Sequence, residues 1–305
     1  MMRGKNYFLL FFIFIVALSS HAQQQATFAQ YMFNALAINP AYAGEHKALS
    51  ISVLSRFQNI GLPGAPNTQT FAAHSPLLNQ RFSVGALVVH DRIGVIDQTG
   101  VNGIYAYKIP IDAKTTLSMA LQVGFSFYRA SYAKLETYQP DPIFSQNINQ
   151  TRPNIGTGAF LSRRLWYVGL SAPHLINNVF TRGADLTTIR QSVPIILTGG
   201  YVWDISRKFK FKPNGLLKLV DNRPVEFDVN ANFLIDEVVW LGTSYRSSKG
   251  MNYMMEIQAT DQLRFGYAYT AAFGKIRQIE IGSHEFFIGY IMKYKMKGIV
   301  SPRYF

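Results

Sequence analysis

The chain has 305 residues, of which 48% are hydrophobic, 14% aromatic and only 15% charged, and its formal net charge is +13. Soluble domains usually carry about 25% charged residues, so the composition argues against a purely water-facing surface. The absence of cysteine excludes a disulfide framework and a thiolate metal site, and the cations are scattered singly across turns, which argues against nucleic acid as a partner.

The chain opens with the three parts of a signal peptide over 1–22: basic Arg3 and Lys5, an apolar run from Tyr7 to Leu18, and Ser20-His21-Ala22 as a small-x-small cleavage site. The run is short for a membrane helix, which needs roughly 20 residues. Cleavage before Gln23 leaves residues 23–305 and removes two basic charges, so the net charge falls from +13 to +11. That basic balance suits acidic headgroups or an acidic partner.

The next stretch, QYMFNALAINPAYAG from Gln30 to Gly44, has neither helical nor strand periodicity. From Lys47 onward the period is two. Leu117, Met119, Leu121, Val123, Phe125 and Phe127 alternate with Ser118, Ala120, Gln122, Gly124 and Ser126, and Phe227, Val229 and Phe233 alternate with Asp228, Asn230 and Asn232. Alternation alone fits a soluble sandwich or a membrane barrel. The polar face here is mostly Gly, Ala, Ser, Asn and Gln, which suits a crowded barrel interior. Many runs reach the roughly 9–11 residues of a tilted transmembrane strand.

The pattern therefore predicts an all-β, transmembrane outer-membrane β-barrel of about 14 antiparallel strands. The strands are expected at 47–57, 67–75, 81–92, 98–109, 115–129, 154–163, 165–173, 191–204, 208–219, 224–235, 237–248, 252–260, 262–272 and 284–297. With the chain entering from the periplasm, short turns fall at even-to-odd connections. The longest irregular stretches, 130–153 and 174–190, fall at outward ones. The domains are then a signal peptide over 1–22, an N-terminal periplasmic plug or lid segment over 23–46, and a barrel over 47–305.

Catalytic and metal chemistry has little support. His46, His74, His90, His174 and His284 show no HxxxH or HExxH spacing, and no GxSxG elbow, P-loop or dinucleotide fingerprint occurs. His74-Ser75 and His284-Glu285 leave open a hydrolase triad assembled across a rim, against strand-end histidines satisfied by polar neighbours. The carboxylates Glu226 and Asp228 share a strand face, which suits a hydrogen-bonded lumen better than an acid/base pair. No catalytic, cofactor-binding or metal residues are expected.

An ordered set of short motifs accompanies the opening stretch: Arg56-Phe57-Gln58 with Leu62 to Thr68, His74-Ser75-Pro76-Leu77, Val168 to Leu175, Lys212-Pro213-Asn214, Trp240 to Arg246, Gly282-Ser283-His284-Glu285 and the terminal Ser301 to Phe305. Together they resemble the PorP/SprF family of type IX secretion system outer-membrane proteins. Ala35 departs from the pattern, where the family commonly has Pro after Asn34. The resemblance implies a non-enzymatic barrel in the bacterial cell outer membrane, without cofactors, that assists secretion or surface anchoring of large cargo proteins. Such cargo carries C-terminal sorting domains and includes gliding adhesins. The implied partners are that cargo, periplasmic ring or peptidoglycan-linked secretion components, and outer-membrane lipid.

Lying before the first strand, the opening stretch is expected at the periplasmic mouth of a barrel wide enough to need filling. Tyr31, Phe33 and Tyr42 supply bulk, Asn34, Asn39 and Pro40 impose turns, and Gly44 frees the backbone. These residues form the candidate plug or partner-docking site, with mere packing of the barrel base as the bland alternative. Arg56 and His74, on neighbouring strands, are the candidate lumen network that pins it. The rival functions are an outer-membrane solute or hydrophobic-compound transport channel, which shares the alternation and aromatic belts, and a rim hydrolase.

Overall fold

The computed structural model describes residues 28–77, 80–134, 147–182, 186–248, 250–273 and 282–292. The signal peptide, residues 23–27 and the Ser301 to Phe305 motif lie outside the described residues. Two single turns of 3-10 helix come first, η1 (Ala35–Ala37) and η2 (Pro40–Tyr42). The strands follow as β1 (Leu49–Gln58), β2 (Asn67–Pro76), β3 (Phe82–Ile93), β4 (Ile96–Pro110), β5 (Thr115–Ala130), β6 (Ile148–Arg163), β7 (Trp166–Ala172), β8 (Val179–Arg182), β9 (Leu186–Arg190), β10 (Pro194–Tyr201), β11 (Trp203–Asp204), β12 (Phe209–Val220), β13 (Glu226–Ile235), β14 (Val239–Arg246), β15 (Gly250–Gln258), β16 (Leu263–Ala272) and β17 (Ser283–Met292).

Strands β1 to β7 and β12 to β17 each pair antiparallel with their sequence neighbours, and β1 pairs with β17 from Leu49↔Met292 to Gln58↔Ser283. On the far side β10 bonds both β7 and β12, so the 15-stranded sheet closes on itself. Val202 separates β10 from β11, which together form one stave, giving a closed wall of fourteen staves. Closure is what permits the sheet to stand in hydrocarbon, because every peptide group finds its partner in a neighbouring strand.

The alternation sorts side chains as the sequence predicts. On β5, Met119, Leu121, Val123 and Phe125 point out, while Ala120, Gln122 and Ser126 are buried inward. Outward aromatics gather at two levels. One level holds Phe82 with Tyr107 at 5.1 Å and Phe211 with Phe233 at 4.9 Å. The other holds Tyr267 with Phe286 at 5.4 Å and Phe227 with Tyr245 at 6.1 Å. These are the interfacial girdles of a membrane barrel.

The two ends of the wall differ. Connections 77–81, 111–114, 164–165, 205–208, 236–238 and 259–262 are short and share one end with the entry to β1. Connections 59–66, 131–147, 173–193 and 273–282 lie at the other. The rule for such barrels makes the long-loop end the outward one.

The structure departs from the sequence reading in two places. Residues 148–153, expected to be irregular, begin β6 and pair with 125–130 of β5. Their inward residues include Gln150 and Arg152, so the apolar period that marks a strand is missing although the backbone ladder continues. Residues 174–190 hold the small hairpin β8–β9, separate from the wall. Its Phe180 turns in to stack on Tyr128 at 4.8 Å.

Two expectations follow. The chain has no native cysteine, so Asn147→Cys should react with an impermeant thiol reagent on intact cells. Lys114→Cys, at the short-turn end, should react only after permeabilisation; the reverse order inverts the topology. Phe125 is 53% exposed to the lipid side and Gln122 is 1% exposed. Phe125→Arg should therefore destabilise the barrel by roughly 2–4 kcal/mol and Gln122→Arg by less, read from urea-dependent folding into vesicles.

Candidate functional site

The aperiodic segment is aperiodic because it is a chain of turns. Phe33 N–H donates to Gln30 C=O, Asn34 to Tyr31, Ala37 to Asn34, Ile38 to Ala35, Tyr42 to Asn39, Ala43 to Pro40 and Lys47 to Gly44, all at 3.0–3.2 Å. These bonds satisfy peptide groups that have no sheet partner. Asn39 caps η2, its Oδ1 accepting from the Ala41 N–H at 2.9 Å, and Pro40 takes the first position, where no amide hydrogen is needed. No residue from Phe28 to His46 is exposed. Instead the segment runs through the lumen against inward residues of the wall.

Its first residues are gripped by charge. The Glu285 carboxylate, on β17, accepts from the Ala29 N–H at 2.8 and 2.9 Å and from the Gln30 N–H at 3.1 Å. Behind it stands Arg56 of β1, with Nε 3.4 Å from Oε1 and both side chains fully buried. Arg246 of β14 donates to the Phe28 C=O at 2.9 Å and holds Asp228 of β13 through both Nε and Nη2, at 2.7–2.9 Å. One residue on, the Tyr31 hydroxyl accepts from Asn214 at 3.1 Å and Asn230 at 2.7 Å. Phe33 packs between Trp240 and Phe287 at 6.3 and 6.4 Å.

The middle and lower parts are fitted by shape. Ser171 of β7 donates to the Ile38 C=O at 2.7 Å, and the Asn39 amide donates to the Ala159 C=O at 3.0 Å. A Cβ on Gly158 would collide with the Asn39 side-chain oxygen, and one on Gly169 would lie 2.9 Å from its nitrogen. Two glycines on adjacent staves thus make room for one amide. Tyr42 meets His46, His74 and Phe160 edge-on at 5.5–5.7 Å, and its hydroxyl lies 3.1 Å from His46 Nε2.

At the short-turn end Gly44, at φ +75°, gives its N–H to His74 Nδ1 at 2.9 Å. Lys108 of β4 donates to the Gly44 C=O at 2.7 Å and pairs with Glu45 at 3.1 Å. Ser162 of β6 closes the set on the other Glu45 oxygen at 2.7 Å.

All seven segment residues singled out from the sequence lie in this buried run, and Asn34 also accepts from Ser52 on β1 at 3.3 Å. Two details differ from expectation. The segment is not confined to the periplasmic mouth: Gly44 and Glu45 are there, but Phe28 to Gln30 reach the outward half, near the start of β13 and β17. His74 bonds the segment directly, whereas the Arg56 ion pair acts through Glu285. Sequence reasoning gave no role to Arg246, Lys108 or Asn214, read Asp228 with Glu226 as part of a hydrogen-bonded lumen, and raised Glu285 only beside His284 in a rim triad. A signal was present, because Ser171, Asn214, Arg246 and Glu285 each sit in one of the short ordered motifs. Those motifs, scattered along the chain, converge on the segment.

Comparison with known proteins agrees with this architecture. A family model described as "Type IX secretion system membrane protein PorP/SprF" matches residues 20–290. Among solved structures, the CymD monoaromatic hydrocarbon channel superimposes with a TM-score of 0.51 at 8% identity, covering 88% of this chain and 94% of that one. A FadL homologue from Pseudomonas aeruginosa gives a TM-score of 0.50 at 12% identity, covering 85% and 94%. At such identities these likenesses establish the barrel fold alone. No curated protein matches the sequence significantly.

The clamp makes a stability prediction. Arg246→Met leaves the Asp228 charge buried without its partner and should cost about 3–5 kcal/mol. Tyr31→Phe, which orphans two amide donors, should cost about 1–3 kcal/mol. Adding Asp228→Leu to Arg246→Met should restore much of the loss, since no lone charge then remains. Urea unfolding of the refolded barrel checks the order.

Proposed function

The chain belongs to the PorP/SprF family of type IX secretion system membrane proteins, and from that premise we propose that it is a non-enzymatic barrel assisting secretion or surface anchoring of large cargo proteins with C-terminal sorting domains, adhesins among them. Its place is the outer membrane. The observation that carries the reading is the segment Phe28 to His46, tied to the wall at both ends of the lumen. A barrel that devotes its interior to holding its own chain is suited to a scaffold or gated accessory more than to free diffusion of solutes. The segment serves as an internal plug. Its lower end, from Gly44 to the exposed Lys47, faces the periplasm, where ring or peptidoglycan-linked components of the secretion machine engage it.

Tyr42 and Asn39 are buried, so they act on partners by setting the shape of that lower end. Their replacement tests the role. Asn39→Ala with Tyr42→Ala leaves every wall strand unaltered, so heat-modifiable folding should persist while surface display of cargo falls, both measured in the same cells. Normal display at normal barrel levels would reduce the segment to filler. Purified protein should also fail to swell liposomes in sugar solutions, whereas a solute or hydrophobic-compound channel passes its solutes unaided.

A further inference from the structure

The short-turn end of the wall is electrically lopsided. At the turns 77–81, 111–114 and 164–165, and where the segment enters β1, stand Arg81, Lys114, Arg163, Arg164 and Lys47, all exposed. These turns adjoin one another: the Lys108 N–H of β4 donates to the Arg81 C=O at 2.7 Å, and Arg163 stands opposite Thr115 in the β5–β6 ladder. They also frame the segment, whose lower end bonds to His74 of β2, Lys108 of β4 and Ser162 of β6, the strands that run into them. The cations thus form an arc beside that lower end.

Two carboxylates share this half of the rim, and both are engaged. Glu45 holds Lys108 and Ser162. Asp112 turns back on its own loop, accepting from the Lys114 N–H at 2.6 Å, the Thr115 N–H at 2.7 Å and the Thr115 hydroxyl at 2.9 Å. Those bonds, with the charge of Arg163 adding to them, hold its carboxyl below the ordinary carboxylate range. Among the described residues Lys47, Lys114, Arg163 and Arg164 make no ion pair. Residues 78–79 and 293–305 contain no Asp or Glu, so they bring no carboxylate side chain to this end. The opposite half is matched. There Lys208 pairs with Asp236 at 3.8 Å, Lys210 with Asp204 at 3.7 Å and with Glu237 at 2.8 Å, and Arg207 and Asp261 add one charge of each sign.

Lipid surrounds a barrel on every side, so cations serving phospholipid headgroups would be spread round the whole rim. Here they keep to one half, and Lys47 stands on the segment itself, its N–H bonded to the Gly44 C=O at 3.1 Å. That placement suits a single body docked below the bore. We propose that this arc is the docking surface for an acidic face of a periplasmic protein, with Lys114, Arg163 and Arg164 meeting its carboxylates and the segment's lower end lying beneath it. Unmatched charge of one sign steers and orients such an encounter, and salt weakens it. The inference rests on the reading that the lower end faces a periplasmic partner, and it adds the partner's charge and the half of the rim that receives it.

The chain has no native cysteine, so a benzophenone maleimide can be placed by Ala113→Cys in the arc or by Ser206→Cys opposite it, in isolated cell envelopes. Photo-adducts of the tagged full-length barrel are then purified under denaturing conditions and read by mass spectrometry. The Ala113 probe should give a protein adduct on an Asp- and Glu-rich peptide, about five-fold or more above the Ser206 probe. Adding Lys114→Glu with Arg164→Glu should lower its yield about five-fold, as should raising salt to about 0.5 M, whereas Lys114→Arg with Arg164→Lys should retain it. Heat-modifiability verifies each barrel, and Lys114→Gln with Arg164→Gln replaces the reversed pair if that variant does not fold. An adduct insensitive to charge reversal, adducts to phospholipid alone, or no adduct from a folded barrel would each overturn the arc as a protein-docking surface. Cargo display in the same cells separates the two readings. A charge-dependent adduct with display unchanged by the reversal leaves the arc and removes the secretion role, and normal display without an adduct leaves that role and removes the arc.

Discussion

Hydrocarbon supplies no hydrogen-bond partner, and from that one deficit the architecture follows. Each N–H and C=O at membrane depth must be met by another peptide group, which forces strands to pair on both sides and the last to meet the first. The β1–β17 ladder is the seam where this is achieved. Closure then creates a second problem. Around eight strands the inward side chains meet and fill the centre, but a wall of fourteen staves is wider than they can span. The protein meets this with its own chain, laid through the bore.

That solution requires backbone without a sheet to be buried, and the lumen is equipped for it. Turns within the segment satisfy part of the demand, and the wall satisfies the ends with full charges: Glu285 for amide hydrogens, Arg246 for a carbonyl. Charges are costly to desolvate and are sustained only when paired and hydrogen-bonded. Arg56 and Asp228 supply that pairing on either side. The charged groups of the clamp address main chain at Phe28 to Gln30, and the Gln30 side-chain amide adds one bond to the Glu285 C=O at 3.4 Å, so the clamp holds position and register. Recognition of residue type passes to Tyr31, Asn39 and Tyr42, each seated in a niche made by amides, glycines or rings.

The contrast between β5 and β6 explains what was legible. On β5 a lipid-facing series from Met119 to Phe127 stands against a lumen-facing series of small polar residues, so both the strand and its facing can be read from period two. The start of β6 carries no such series, because its outward end no longer contrasts lipid with lumen, and it reads as loop. The β8–β9 hairpin was hidden for the same reason. The segment could be located but not placed: its asparagines, proline and glycine announce turns, yet turns do not say how far a chain penetrates.

The sequence by itself determined the closed antiparallel wall, its stave count and the facing of its strands, because those properties repeat every second residue and are imposed by one boundary between lipid and lumen. Tertiary structure alone decided the path of the segment and the pairing of Arg246 with Asp228 and of Arg56 with Glu285. These depend on residues brought together from positions as far apart as Ala29 and Glu285. Barrel closure and strand register set such meetings, and neither leaves a local pattern in the chain.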